Sequence, residues 1–320
     1  MGRARAEAGG LDPALTAPPA SGPYAGRTLV VLNPAAGQGD PGRLRRALAV
    51  AFHARGAPFD LRETAAAGDA ERFAREGAEL GYRAIVAVGG DGTVGEVITG
   101  VAGTAVPVGV VPRGTGNQVA HNLGIPRTLA AAVEVAVHGT PSPMDVGRLD
   151  DGRYFALAAG AGWDAEVIAR ATRERKDRWG FGAYLFAGLS VRVSTRVARF
   201  RIVADGKALE LDASMVLVAN VGSFVAPYLP LSMRVAPAAS FRDGLLDVCI
   251  FAPGTRGGAA SMLLRLHLGR HAGDRRMVFL QAREVLVESD PSVPTQMDGE
   301  VLGRTPLRAR SVPGGVRVLV

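Results

Sequence analysis

The chain has 320 residues, 48% of them apolar, and a formal net charge of +7. That length accommodates two domains or one large one, and the positive balance favours an anionic partner without choosing among nucleotide, nucleic acid and membrane surface. A single cysteine, Cys249, excludes a disulfide framework and suits a reducing compartment, and the five histidines at 53, 121, 138, 267 and 271 never adopt zinc-ligand spacing.

Residues 1–26, rich in Ala, Gly and Pro and closing on Ala17-Pro18-Pro19-Ala20-Ser21-Gly22-Pro23, read as a flexible leader without the apolar stretch of a signal peptide. No run approaches the ~18 to 20 apolar residues that cross a bilayer, so membrane contact is expected to be peripheral. Arg27 to Leu32 reads as a buried strand, followed by the loop Asn33-Pro34-Ala35-Ala36-Gly37-Gln38-Gly39 and a helix over 42–55 with Leu44, Leu48, Ala51 and Phe52 as its apolar stripe. A strand at 59–61, a helix at 69–80 and a strand at 84–88 complete a βαβαβ rhythm, which predicts a parallel sheet with ligand-binding loops at its carboxyl edge.

The last of these strands runs into Gly89-Gly90-Asp91-Gly92-Thr93. Glycines let backbone amides approach a ligand closely, and those amides favour an anion. Asp91 would repel phosphates unless a divalent cation lies between them, so the turn points to a nucleotide with its metal. A helix at 94–101 and a strand at 106–111 lead to a third loop, Pro112-Arg113-Gly114-Thr115-Gly116-Asn117, which opens another helical stretch and offers hydroxyl and amide donors.

From Ser142 the pattern changes to strands and turns: Met144 to Leu149, Tyr154 to Ala159, Val197 to Ala204, Met215 to Val221, Leu245 to Phe251, Val285 to Val287 and Val316 to Val320. Asp205-Gly206 is a hairpin signal, and the Asp150-Asp151-Gly152 turn separates the first two strands. Helices are expected at 164–173, 184–193 and 259–271. The division is therefore a leader (1–26), an α/β nucleotide-binding domain (27–144) and a β-rich substrate or lid domain (145–320), whose C-terminal segment is a candidate to pack back on the first.

Five segments in order carry a resemblance: Asn33-Pro34 with Gly37; Gly89 to Thr93 with Glu96; Pro112 to Asn117; Asp243-Gly244-Leu245-Leu246-Asp247-Val248; and Asp298-Gly299-Glu300. Together they resemble the diacylglycerol kinase catalytic family, specifically the bacterial lipid kinases that share it with sphingosine and ceramide kinases. The resemblance implies an N-terminal α/β domain similar to NAD kinases and phosphofructokinases, a C-terminal β-sandwich and a nucleotide in the cleft between them. It assigns Gly89, Gly90, Asp91, Gly92, Thr93 and Gly95 to ATP phosphates and Mg, with Asn33, Thr64, Glu96, Gly114, Thr115 and Asn117 as further nucleotide-site residues. A simple turn or cap hydroxyl is the competing reading for Thr64. Ser240, Asp243 and Leu245 match a structural Mg site built from two main-chain carbonyls and one carboxylate. Glu300 matches the proton acceptor, with Asp298 and Asp91 in the metal and water network; an ordinary hairpin turn is the competing reading of 298–300.

Two departures stand out. Relatives usually continue the third loop with Asn-Asp-Phe-Ala-Arg, where this chain has Asn117-Gln118-Val119-Ala120-His121, and position 95, commonly asparagine, is Gly95. The activity implied is ATP- and Mg-dependent phosphorylation of a primary hydroxyl on a diacylglycerol-like or sphingoid-like lipid, in phospholipid biosynthesis. The alternatives are an NAD kinase-like small-molecule kinase and a non-catalytic nucleotide- or lipid-binding regulator. The basic residues over 170–178 and Arg265, Arg270, Arg275 and Arg276 suggest a cytoplasmic protein docking on the anionic inner membrane surface. No nucleic-acid signature is found, because basic residues are not interleaved with stacking aromatics. Oligomeric state stays open, a homodimer among the options.

Overall fold

The computed structural model describes residues 23–37, 39–170, 197–225, 232–271 and 273–320. Its first half runs β1 (Thr28–Leu32), α1 (Pro41–His53), β2 (Phe59–Glu63), α2 (Asp69–Glu79), β3 (Ala84–Gly89), α3 (Asp91–Val101), β4 (Val108–Pro112), α4 (Gln118–Asn122) and α5 (Leu129–His138). β1, β3 and β4 are buried along their whole length, because their continuous aliphatic runs offer apolar side chains to both faces of a sheet lying between helices. The four strands pair in parallel in the order β2-β1-β3-β4, with Val30 opposite Val86 and Val86 opposite Gly109. All their carboxyl ends therefore open on one edge.

The helices follow from caps and stripes. Asp40 caps α1, accepting from Gly42 N at 2.9 Å and Arg43 N at 3.1 Å, with Pro41 in the first turn. Leu44, Leu48, Ala51 and Phe52 are its buried stripe, and each of the larger three stabilises the fold by about 1.5–3 kcal/mol through burial. α3 starts at Asp91, a turn before the expected Val94. Gly90 caps it in an extended conformation, and Asp91 in the first turn complements the helix dipole, so the glycine turn is itself the helix terminus.

The second half comprises β5 (Pro141–Leu149), β6 (Tyr154–Phe155), β7 (Ala158–Gly162), α6 (Trp163–Arg170), β8 (Ala198–Ala204), β9 (Lys207–Ala213), β10 (Met215–Ala219), β11 (Ser223–Val225), β12 (Ser232–Arg234), β13 (Leu246–Phe251), α7 (Arg256–His267), β14 (Met277–Ala282), β15 (Glu284–Asp290), β16 (Pro294–Met297), β17 (Glu300–Arg304) and β18 (Leu307–Leu319). Among the described residues, β14-β13-β10-β7-β16-β17 form a six-stranded antiparallel sheet. The other large sheet carries the order β2-β1-β3-β4-β18-β15-β8-β9, with β5 and β6 flanking β18. A core drawn from both sheets, including Phe155, Phe200, Ile202, Val216, Val248, Ile250 and Val285, makes the second half a sandwich.

β18 joins the two halves. Its start pairs antiparallel with β15, Val318 pairs in parallel with Val108 of β4, and β5 runs along its other side. Between Val312 and Val316 the register shifts, where Gly314 N donates to Asp145 Oδ1 at 2.7 Å.

Several elements differ from expectation. The strand expected at Tyr154 to Ala159 is two, β6 and β7 in different sheets, because the amides of Ala156 and Leu157 bond a carboxylate instead of a neighbouring strand. Val316 to Val320 is the end of a 13-residue strand. The helix expected at 184–193, the end of that at 164–173 and most of the basic run over 170–178 lie outside the described residues. Asp205-Gly206 does form its hairpin, with Ala204 opposite Lys207 and φ values of 46° and 79° in the turn.

Candidate active site

Three strand-end loops meet at the carboxyl edge of the parallel sheet. Arg113 N and Gly114 N both donate to the Gly89 carbonyl, at 2.8 and 3.3 Å. A Cβ added at Gly114 would lie 2.5 Å from Gly90 Cα, and one at Gly37, where φ is +81°, would run into the Arg113 carbonyl oxygen. At Gly89 a Cβ would overlap the Thr93 side chain. These glycines thus serve loop-to-loop contact as well as any approach to a ligand. Asn33 Nδ2 donates to Thr93 Oγ1 at 3.2 Å, tying the first loop to the second. Asn117, with φ of 48°, closes the third by accepting from Gly114 N at 2.8 Å and donating to the Gly114 carbonyl at 2.5 Å.

Asp91 opens α3 and also caps the next helix, with Oδ1 accepting from Val119 N at 3.0 Å. Burial pushes its carboxyl above the usual carboxylate range, opposed by the amides of Val119, Gln118 and Asn117. α4 in turn grips the second half. Gln118 Nε2 donates to the Val225 carbonyl at 2.7 Å while its Oε1 accepts from Val225 N at 2.8 Å, and Asn122 Nδ2 donates to the Ser223 carbonyl at 2.8 Å. The departure at position 118 is therefore a fully buried amide that pairs with strand β11 as a neighbouring strand would.

The segment 298–300 is a hairpin turn and a carboxylate mount at once. Met297 pairs with Glu300, and the two residues between them have φ of 46° and 89°, the tight turn that Asp-Gly favours. Asp298 Oδ1 accepts from Leu157 N at 3.0 Å and Ala158 N at 2.9 Å, and Oδ2 accepts from Ala156 N at 2.9 Å. A Cβ added at Gly95, one turn into α3, would lie 3.7 Å from Asp298 Oδ2. So α3, which starts at Asp91, and the Asp298 turn of the sandwich face each other. Burial raises the Asp298 carboxyl to about 6 despite its three amides, with the negative charge of Asp91 a smaller contributor. Glu300 begins β17 as an exposed residue whose charge acts on Arg153, itself ion-paired with Asp151 at 2.5 Å.

Other sequence candidates stand elsewhere. Thr64 follows β2, its amide donating to the Leu32 carbonyl at 2.9 Å, so it sits at the same sheet edge. Thr115 lies partly buried within the third loop. Glu96 bonds the start of α2, its Oε2 accepting from Ala70 N at 3.0 Å. Ser240, Asp243 and Leu245 occupy one loop, where Asp243 Oδ1 accepts from Leu245 N at 3.0 Å and Ser240 Oγ from Arg242 N at 3.2 Å. Beside it Asp145 Oδ2 accepts from Gly244 N at 2.7 Å. Burial, with the Asp243 charge as a smaller cause, raises Asp145 and brings Asp247 to about 6.

Three buried polar residues escaped the sequence reading. Gln296 accepts from Gly299 N at 3.1 Å and donates to Asp164 Oδ2 at 2.9 Å, so it braces the 298–300 turn from within the sandwich. Burial raises Asp164 to about 6. Asn220 supports the peptide segment that holds Asp298, donating through Nδ2 to the Ala156 carbonyl at 3.0 Å and through N to the Leu157 carbonyl at 2.8 Å. Their one linear signal is a polar residue within an apolar run, and that does not say what it meets.

Residues 27–149 match the family described as the diacylglycerol kinase catalytic domain, and residues 158–320 match the YegS C-terminal NAD kinase beta sandwich-like domain. A diacylglycerol kinase of Bacillus subtilis is 30% identical over 289 residues, which cover 88% of this chain and 91% of that protein. An uncharacterized protein of Synechocystis is 30% identical over 238 residues, or 73% of this chain, and the chain spans about half of its length, 54%. A crystal structure of a diacylglycerol kinase from Bacillus anthracis superposes with a TM-score of 0.72 at 25% identity, covering 92% of this chain and 96% of that one.

Proposed function

Because the chain belongs to the diacylglycerol kinase family of lipid kinases, we propose that it transfers the γ-phosphoryl group of ATP to a primary hydroxyl of a diacylglycerol-like or sphingoid-like lipid. One observation carries this reading: Asp298, held by three amides on the sandwich, faces the α3 terminus that bears Asp91. Two desolvated carboxylates of like charge are poor neighbours unless a cation shares them, and an all-oxygen donor set fits Mg. Asp91 and Asp298 would hold that ion, which when bound offsets the charge on the phosphates.

The chain's own residues supply the rest. The glycine turn at 89–92, with the amino end of α3, accepts the phosphates, and Thr93 with Asn33, Thr64, Gly114, Thr115 and Asn117 surrounds the nucleotide. Glu300 accepts the proton of the lipid hydroxyl as its oxygen bonds to the γ-phosphorus and the bond to the β–γ bridging oxygen breaks, releasing ADP. The charge of Asp243 acts on both Asp145 and Asp247, and although among the described residues no three acidic or histidine side chains form a metal cluster, the main-chain carbonyls of Ser240 and Leu245 with the Asp243 carboxylate would hold a second, structural Mg that braces the loop.

Among the described residues no helix is long and apolar enough to cross a membrane. The lipid is reached instead at the cytoplasmic membrane surface. Exposed Leu264 and Leu268 at the end of α7, with the exposed Arg270 and Arg275 that follow in the chain, supply an apolar and basic face for anionic lipid, while Arg265 is paired with Asp274 at 3.6 Å. Each cation there contributes about 1 kcal/mol.

The test is the Glu300→Gln variant in a mixed-micelle assay with ATP and Mg. A fall in kcat of about a hundredfold or more with the KM for ATP unchanged is expected. Full activity would remove Glu300 from the chemistry.

A further inference from the structure

A second cleft, about 440 Å³ in volume, is lined by Asn220, which bonds the Asp298-binding segment, and by Asn122 and Leu123 at the end of α4. Met144 and Phe241 contribute its apolar wall, and Arg234, Arg242, Ser240 and Asn220 its polar groups. That volume is within the ~300–1,000 Å³ of small-molecule sites. Among the described residues no Asp or Glu side chain lines it. The two arginines are exposed and form no ion pair among the described residues; Arg242 donates to Ser142 Oγ at 2.7 Å.

Asn220 gives the cleft a specific demand. The residue is 1% exposed, and its Nδ2 donates to the carbonyls of Asp145 at 2.9 Å and Ala156 at 3.0 Å. Two carbonyl partners fix the amide group's orientation and leave Oδ1 buried with no hydrogen-bond partner among the described residues. A buried acceptor of this kind calls for a donor, and the two arginines call for an anion.

The cleft is also coupled to the active site through two residues. Ala156 and Leu157 give their carbonyls to Asn220 and their amides to the Asp298 carboxylate, so Asn220 and Asp298 hold the same short segment from opposite sides. A ligand that shifts Asn220 shifts the mount of Asp298.

We propose that this cleft is an effector site for a phosphomonoester carrying a free hydroxyl, of the glycerol phosphate class, whose phosphate meets Arg234 and Arg242 and whose hydroxyl donates to Asn220. The ligand comes either as a soluble metabolite or as a lipid head group. Both present the same chemistry.

Calorimetry on the full chain tests this with a non-hydrolysable ATP analogue and Mg added, so that the glycine-loop site is filled. The probes are sn-glycerol 3-phosphate, lysophosphatidate in phosphatidylcholine vesicles, and sulfate, an anion without a donor. The glycerol phosphate group is expected to bind from at least one of the two sources, at least tenfold tighter than sulfate, and at least tenfold weaker to Arg234→Gln/Arg242→Gln. Binding from vesicles alone assigns the source as lipid, and binding of the soluble probe assigns a metabolite. Saturating effector is expected to change kcat at least twofold in the wild type and not in the double variant. No heat with either source, as for a cleft that holds water only, or equal binding by the double variant, or equal affinity for sulfate, would overturn the site. Binding that leaves kcat unmoved would overturn its coupling to Asp298.

Discussion

Replacing Asp298 with asparagine separates what this carboxylate does for chemistry from what it costs the fold. Burial raises its carboxyl from 3.8 to about 6, which at 1.36 kcal/mol per pH unit corresponds to about 3 kcal/mol. An acid whose pKa is higher in the folded state binds its proton more tightly there, so stability is greatest below 3.8 and declines as pH rises through 6. About 1.4 kcal/mol of that decline falls between pH 5 and pH 8. Asparagine does not ionise and escapes it. Its Oδ1 can keep the amides of Leu157 and Ala158, while its NH2 then faces Ala156 N, donor against donor, at a cost of about 1–3 kcal/mol that does not vary with pH. The difference in Tm between Asp298→Asn and wild type should therefore move in the variant's favour by about 2 °C from pH 5 to pH 8. Activity at pH 8 should fall by about a hundredfold or more. Thermal unfolding by circular dichroism at the two pH values, beside the kinase assay, measures both. A pH-independent difference in Tm would refute the burial argument.

Other outcomes follow from the loops. Gly114→Ala sets a methyl 2.5 Å from Gly90 Cα, backbone against backbone, and should cost about 1–3 kcal/mol in urea unfolding and weaken ATP binding in titration calorimetry. Gly95→Asn, which puts in the residue common in relatives, adds a Cβ that meets only Asp298 Oδ2 at 3.7 Å, and requires no positive φ. It should leave Tm unchanged or slightly higher, by up to about 0.5 kcal/mol of helix propensity, with kcat retained or raised. A large loss of activity in Gly95→Asn would show that this chain needs the space the glycine leaves.

The loops were legible because glycine, asparagine and aspartate mark strand ends by their backbone chemistry alone. Gly89, Gly90 and Gly114 announced close approach, although part of what they approach is one another. The Asp205-Gly206 and 298–299 turns were legible for the same reason, positive φ being cheap for these residues. Strand limits in the second half were less so. β9 is a mostly solvent-facing edge strand, Lys207–Ala213, whose polar residues hide its alternation, and β18 starts at Leu307 and continues through Pro313-Gly314-Gly315, well ahead of the strand expected at Val316 to Val320. Tyr154 to Ala159 carries an unbroken apolar pattern, and only the distant Asp298 explains why it leaves one sheet for the other. Gln118, Asn220 and Gln296 owe their roles to partners more than 60 residues away, so neither periodicity nor composition exposes them.

The most direct measurement incubates the purified chain with γ-labelled ATP, Mg and a panel of diacylglycerols, ceramides and sphingoid bases in mixed micelles, then extracts into organic solvent. Label is expected in a phosphorylated lipid of the organic phase, dependent on Mg and reduced at least a hundredfold in Glu300→Gln. Label that appears only in an aqueous dinucleotide, or undiminished transfer by both Glu300→Gln and Asp298→Asn, would contradict the account.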